Sequence, residues 1–362
     1  MLLGAMHLFD ATTADEVWLM AAAKFEEADG VRTQESRAGP TREILGAVFT
    51  VRNPRQRWVV SRQPAMNPAF ALAEVVWIVS GRRDAAFLNY WNPKLPQFAG
   101  DAKLYHGAYG FRIRRHFGVD QLERAYQALL NNPDTRQVVL QIWDSSVDFP
   151  LPDGSSANPD IPCNVCSFAK IRDGRLEWTQ IVRSNDLFLG IPHNFVQFTS
   201  LQEILAAWLG VELGSYTHIS DCLHIYLRDQ NDISGTIQGE TQANTDTLRF
   251  TKAESDLLFA EMSARMDKMT SALLTHRGLG RLARPTDFPK ELRNWLLVVA
   301  ADCARRRRWI NLSYDLMAEC SNPALKQLWE RWLARWWTIR REELVSEEAF
   351  ICVQPWLPLQ IA

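Results

Sequence analysis

Residues 183–194 read Arg-Ser-Asn-Asp-Leu-Phe-Leu-Gly-Ile-Pro-His-Asn and stand between a strand-like run and a long apolar helix. An arginine, a hydroxyl, a carboxylate and an amide fall within this one stretch. Arginine beside serine suits a phosphate dianion, because the guanidinium fork binds two oxygens and the hydroxyl adds a donor. An asparagine presents one donor and one acceptor, which matches O4 and N3–H of a uracil ring. The same residues also read as a polar loop whose Asn and Asp cap a helix.

Working outward, residues 165–171 and 176–182 read as strands joined by an Asp173-Gly174 hairpin turn. Residues 137–143 read as another strand, and 144–160, rich in Pro, Gly, Ser and Asn, as a loop. The spacing predicts an apolar helix over 195–210 ending at Gly210, then a strand over 216–226. Upstream, 14–28 read as a helix and 44–62 as strands around an Asn53-Pro54 turn. Residues 68–80 read as a buried helix opened by Pro68 and stopped by Gly81. Its Glu74 sits among Leu72, Ala73, Val75, Val76 and Trp77. Burial there predicts a raised pKa, as a general acid–base group near neutrality needs; the alternative, a surface carboxylate, is disfavoured by those apolar flanks. From about residue 252 the chain turns helix-like and rich in Arg, Trp and Leu.

Ile161-Pro162-Cys163-Asn164-Val165-Cys166 ends the loop and opens a strand. A thiol there can be held rigidly and still react, and nearby cations favour its thiolate. Cys163 and Cys166 also form a C-x-x-C. A zinc site needs a second ligand pair, and no other C-x-x-C or H-x-x-H occurs. A redox pair normally opens a helix, and in regular strand alternation the two side chains point to opposite faces. No metal is therefore expected.

Composition bounds the function. Apolar residues make up 47% and charged residues 23% of the 362, enough for a folded core. A net charge of −2 argues against a general nucleic-acid binder, which needs a basic face, and leaves room for a local arginine cluster around one phosphate. No membrane span or secretory leader is read, and six cysteines are too sparse for a disulfide scaffold. The expectation is a reduced, cytoplasmic protein.

The order of motifs resembles the thymidylate synthase family. That pattern is Pro-Cys-His, a strand, Arg-Ser-x-Asp-x-x-Leu-Gly-x-Pro-Phe-Asn, a helix and His-x-Tyr. Here stand Pro162-Cys163, a hairpin, Arg183-Ser184-Asn185-Asp186, Leu189-Gly190, Pro192, Asn194, a helix and His224-Ile225-Tyr226. Weaker matches are Glu74–Gly81, Gly107-Ala108-Tyr109-Gly110 with Arg112, Pro133–Arg136 and Arg37–Thr41. The resemblance implies an α+β fold: a twisted mixed β-sheet packed by helices, dimeric through the sheet face, with a helical C-terminal extension. Residues 1–250 would be the catalytic domain and 251–362 the extension.

The resemblance also implies roles. Cys163 would be the nucleophile toward a pyrimidine nucleoside monophosphate, with Glu74, Tyr109 and Asp186 assisting. Arg37, Arg183 and Ser184 would bind the 5'-phosphate, with Arg136 reaching it from the partner of a homodimer. Asn194 would read the base, and His224 and Tyr226 the sugar. Asp186, Gly190 and His193 would hold 5,10-methylenetetrahydrofolate. Several positions depart from the pattern: Asn164 replaces its histidine, Val182 its glutamine, Gln137 an arginine and His193 a phenylalanine. Lys94–Phe98 replaces a tryptophan-rich segment, and the usual C-terminus has no match. Those losses remove features that exclude water, so the reading leans to 5-hydroxymethylation of a uracil nucleotide. Thymidylate synthase proper is one alternative, and an inactive nucleotide- or RNA-binding homologue is another.

Overall fold

A computed structural model describes residues 6–27, 30–234 and 240–346, with 233–234 and 335–346 as backbone only. The Trp336-Trp337 side chains and the end of the expected extension, 347–362, lie outside the described residues. Eight strands form one sheet: β1 His7–Ala11, β2 Arg32–Gln34, β3 Thr41–Val51, β4 Val139–Gln141, β5 Asn164–Arg172, β6 Arg175–Val182, β7 Asn185–Asp186 and β8 Glu212–Tyr226. The order is β1-β3-β8-β6-β5-β4, with β2 added on β3 and β7 on β8. Parallel pairs (β1–β3, β6–β8, β7–β8) mix with antiparallel ones. The fold is thus the expected α+β class, a mixed sheet packed by helices with further helices after it.

Local chemistry explains the elements. Asp173 (φ 50°) and Gly174 (φ 69°) both take left-handed backbone, which a two-residue turn between β5 and β6 requires. A bulge between Asn164 and Cys166 inserts a residue at the start of β5. Asn164, Ser167 and Ala169 are therefore all buried, and the strict alternation expected for Cys163 and Cys166 does not hold. Both thiols are nevertheless free.

The helix Gly190–Leu209 begins five residues earlier than the sequence predicts. Pro192 is tolerated there because first-turn N–H groups have no intrahelical partner anyway. Gly210 (φ 68°) ends it in a left-handed cap. The second half of 44–62 is not a strand. Trp58, Val59 and Val60 are buried, but the N–H groups of Val60 and Ser61 donate to Asp15 Oδ1, both at 2.8 Å, instead of to a ladder.

The helix Pro68–Val79 is capped by the Asn67 side chain and is apolar on all sides except at Glu74. It packs on Gly190–Leu209 on the sheet side, and on Lys252–Thr270 and Lys290–Arg306 from the C-terminal part. One continuous hydrophobic core joins these layers. Among the described residues no helix is long and apolar enough to cross a membrane.

The tyrosine-bearing loop is fixed from two sides. Buried Arg112 holds Asp148 with both terminal nitrogens, at 2.8 and 2.9 Å, and His106 Nε2 lies 2.7 Å from the same carboxylate. On the other side Gly110 lies so close to the Pro68–Val79 helix that a Cβ would overlap the backbone of Ile78. Gly110→Ala is expected to lower the unfolding free energy by about 1–3 kcal/mol or more in denaturant titration. An unchanged midpoint would refute this close packing.

Candidate active site

Three elements bring the predicted residues together. The loop 161–163 carries Cys163. The end of β6 carries Arg183, whose Nε donates to Pro162 O (3.0 Å) and Nη2 to Ile161 O (3.3 Å). The same Nη2 stands 3.9 Å from Cys163 Sγ. The Arg183 guanidinium also stacks over Trp143, 5.3 Å from its ring centre. Arg37 reaches the loop from the β2–β3 connection and donates to Pro159 O at 3.2 Å from both terminal nitrogens.

One expectation is corrected. The arginines do not leave Cys163 ionised in the free protein. Burial pushes its thiol up, and Asp160 and Asp186 add to that. Arg183 and Arg37 pull the other way and are outweighed. A buried carboxylate partner cancels much of what a guanidinium gives, and desolvation penalises the thiolate itself.

Glu74 behaves as its apolar flanks predict. Burial raises its pKa to about 7, with a hydrogen bond from Gln197 opposing. Its Oε2 lies 3.7 Å from His193 Nδ1. His193 packs edge-on against Phe70 with ring centres 5.0 Å apart, and burial lowers its pKa to about 3, so the imidazole is neutral. Glu74 Oε2, His193 Nδ1 and Gln197 Oε1 are all buried without a hydrogen-bond partner among the described residues. Tyr109 is half-buried beside them; desolvation and the nearness of Cys163 push its phenol up, while a hydrogen bond with Asn164 opposes.

Asn194 lies buried in a run of side-chain amides. Its Nδ2 donates to Asn185 Oδ1 at 3.1 Å, and its Oδ1 lies 3.4 Å from Asn164 Nδ2. Asp186 Oδ1 accepts from the N–H groups of Phe188 (2.7 Å) and Leu189 (3.0 Å), leaving Oδ2 without a hydrogen bond among the described residues. Burial raises its pKa, with those backbone donors and then Arg62 and Arg228 opposing. His224 pairs in register with Asp186 and packs at right angles on Tyr226, which Arg228 covers. Gly190 faces the Asn185 amide. Ser184 is half-buried and Arg136 exposed, and neither is hydrogen-bonded or ion-paired to a described residue.

Sequence reasoning missed Arg62, Asp160, Asn185, Gln197 and Arg228. Arg62 is buried and stacks on Phe188 at 4.2 Å, and its field reaches Asp186 and His193. A charged residue closing the apolar run 58–62 was its visible mark. Asp160 accepts from Gly107 N at 2.8 Å and had no mark beyond its place near Cys163.

With this geometry in view, comparison with known proteins gives one answer. The thymidylate synthase family profile matches residues 27–267, and the chain belongs to that family. It is 36% identical over 219 residues to a deoxyuridylate hydroxymethyltransferase of Bacillus phage SP01, covering 57% of this chain and 56% of the relative. The protein of that name from Pseudomonas phage M6 is 36% identical over 57% of this chain and 58% of its own. A thymidylate synthase of Clostridium beijerinckii is 31% identical over 46% of this chain and 59% of its own. The chain thus spans little more than half the length of these relatives.

Glu74 yields a pH prediction. Its folded pKa, about 7, exceeds its ordinary 4.5, so the folded state holds the proton more tightly. Its stabilising contribution is complete below about pH 4.5 and is lost as pH rises through about 7, by at most about 3 kcal/mol. The side chain keeps 14% exposure, so water screens part of that. Glu74→Gln is expected to flatten this window, so that its stability gains on wild type between pH 5 and 8 in thermal melts. A difference independent of pH would contradict a raised carboxyl.

Proposed function

We propose that this chain transfers a one-carbon unit to C5 of a uracil nucleoside 5'-monophosphate, with dUMP as substrate and 5-hydroxymethyl as product. The observation that carries the reading is the convergence of Cys163, Glu74, Tyr109 and the Asn194 amide from separate elements. The names of the phage relatives support dUMP and the hydroxymethyl outcome. The buried polar atoms around Glu74 and His193 support it too, since a site for water addition needs groups that hold water.

In this reading Arg183, Arg37 and Ser184 bind the phosphate, and Arg136 reaches it from a second protomer. Asn194 pairs with O4 and N3–H, and His224 and Tyr226 hold the sugar. Cys163 gives up its thiol proton as it adds to C6, which moves electron density to C5 and O4, where a proton can be taken up through water held at Glu74. Glu74, titrating near neutrality, exchanges protons with water beside O4. Tyr109, neutral in its half-buried setting, assists loss of the C5 proton. Asp186, with its open Oδ2, and His193 fit the polar edge of 5,10-methylenetetrahydrofolate, with Gly190 beside them. When bound, that folate supplies the carbon. Residues 1–250 would be the catalytic domain that carries these groups, with the extension following from 251; the described part of that extension is helical from Lys252 to Ser346 apart from its connections.

Exposed apolar residues on β3 and β4, Leu45 and Val139, support a homodimer through the open sheet face. A cytoplasmic setting belongs to the reading, because the mechanism needs a reduced Cys163. The Clostridium relative favours a second reading, reductive methylation to thymidylate.

Incubation with dUMP and methylenetetrahydrofolate, followed by mass analysis, separates the two. A gain of CH2O without dihydrofolate absorbance is expected. A gain of one methyl with that absorbance would establish the second reading, and Cys163→Ser should lose on the order of a thousandfold or more in turnover. Full turnover of Cys163→Ser would end the thiol mechanism.

A further inference from the structure

The Asn194 amide belongs to a longer buried chain. The Trp178 indole Nε1 donates to Gln180 Oε1 at 3.4 Å. Gln180 Nε2 donates to Asn164 Oδ1 at 2.9 Å, and Asn164 Nδ2 to Asn194 Oδ1 at 3.4 Å. Asn194 Nδ2 donates to Asn185 Oδ1 at 3.1 Å. Asn185 Nδ2 meets His218 Nε2 at 2.8 Å, and His218 Nδ1 meets the Tyr216 hydroxyl at 3.0 Å. Each of these side chains is at most 6% exposed, so water has little access to any link.

Such a row of amides could run in either sense, each donating forward or each donating backward. One end decides. An indole N–H donates and never accepts, so it must face a carbonyl oxygen. That places the Gln180 oxygen toward Trp178 and its NH2 toward Asn164, and each next amide follows. Ser167 Oγ also bonds Gln180 Oε1, but a hydroxyl rotates to suit either sense. At the far end burial lowers the His218 pKa to about 3, so its ring is neutral and one nitrogen must accept. The imposed sense makes that nitrogen Nε2 and leaves the proton on Nδ1, toward Tyr216.

We propose that Trp178, through Gln180 and Asn164, sets the pyrimidine that this site accepts by fixing which way the Asn194 amide points. The inference rests on the reading of Asn194 as the base-binding residue. In the imposed sense Asn194 retains one N–H and one lone pair for O4 and N3–H of uracil. Cytosine offers an amino group and a bare N3, the reverse pattern. Turning Asn194 by itself would set its N–H against the Asn164 N–H and its oxygen against the Asn185 oxygen, so the chain turns together or not at all. Gly190 serves the same device, since a Cβ there would come within 2.6 Å of Asn185 Oδ1. Trp178, Gln180, Asn164, Asn185 and His218 act as positioning residues.

Two measurements test this. In the unliganded wild-type protein, ring nitrogen-15 shifts of His218 should report the Nδ1–H tautomer. An Nε2–H tautomer would mean that the chain runs the opposite way, and would overturn the inference whatever the protein does. Calorimetric titration of dUMP and dCMP then compares wild type with Trp178→Phe and Gln180→Glu. Removing the indole donor should narrow the dUMP preference by about tenfold or more. Burial keeps the carboxyl that Gln180→Glu introduces protonated at low pH; once it ionises at higher pH it can only accept from Asn164, which reverses every link, so dCMP should then gain further on dUMP. A merely structural role would weaken both nucleotides together and leave their ratio unchanged. An unchanged ratio in both variants, with nucleotide still bound, would overturn the inference and leave the proposed function standing. A wild-type protein that binds neither nucleotide would overturn that function, and the inference with it.

Discussion

The side chain of Arg183 holds the site together. The loop before Cys163 is built from Pro, Gly, Ser and Asn and has little ladder of its own. Arg183 ties it to the end of β6 through the carbonyls of Ile161 and Pro162, while its backbone N–H donates to Cys163 O at 3.0 Å. A charged donor on a carbonyl is a strong hydrogen bond, so the thiol is placed by a rigid strand end and not by a loose turn. The group that positions the sulfur is also the cation nearest to it. Its charge is therefore shared between holding backbone and any anion that docks.

Dryness governs the protonation of the rest. Burial pushes Cys163, Glu74 and Asp186 up and His193 and His218 down, so each tends toward its neutral form. An unpaired buried charge costs several kcal/mol, and neutralisation avoids that cost. Where the fold does keep charge buried it pairs it, as in Arg112 with Asp148 and Arg57 with Glu203. In the candidate site three buried polar atoms, on Glu74, His193 and Gln197, have no hydrogen-bond partner among the described residues; others of that kind, such as Trp91 Nε1, Trp208 Nε1 and Asp246 Oδ2, lie elsewhere in the fold.

The C-terminal helices belong to the same physics. The Pro68–Val79 helix is apolar nearly all round and cannot face water on its outer side. Helices Lys252–Thr270 and Lys290–Arg306 cover it with residues such as Phe259, Met262, Leu296 and Val299 in the common core. The carboxyl of Glu74 is thus held within a layered apolar body, which is the origin of its raised pKa. The arginine run 305–308 also falls to packing chemistry: Arg305 and Arg306 pair with buried Asp302, and Arg307 binds the Met269 and Ser271 carbonyls.

The amino-acid sequence by itself determined the strands β5, β6 and β8, the Glu74 helix and the turn at Asp173-Gly174. It also carried the motif order from Cys163 to Tyr226. These are local matters of periodicity, turn chemistry and spacing. It also marked Glu74 as buried, because its neighbours along the helix are apolar. Tertiary structure decided what depends on contacts between distant segments. The balance of burial against Arg183, Arg37, Asp160 and Asp186 at Cys163 is one case, since none of those distances is written in spacing. The irregular path of 58–62 is another, because Asp15, more than forty residues earlier, takes its N–H groups. The sense of the amide chain is the third. Trp178, Asn164, Asn194 and His218 look unrelated in sequence, and only the stacking of β5, β6 and β8 beneath the Gly190–Leu209 helix puts a one-way donor at the head of a row that could otherwise point either way.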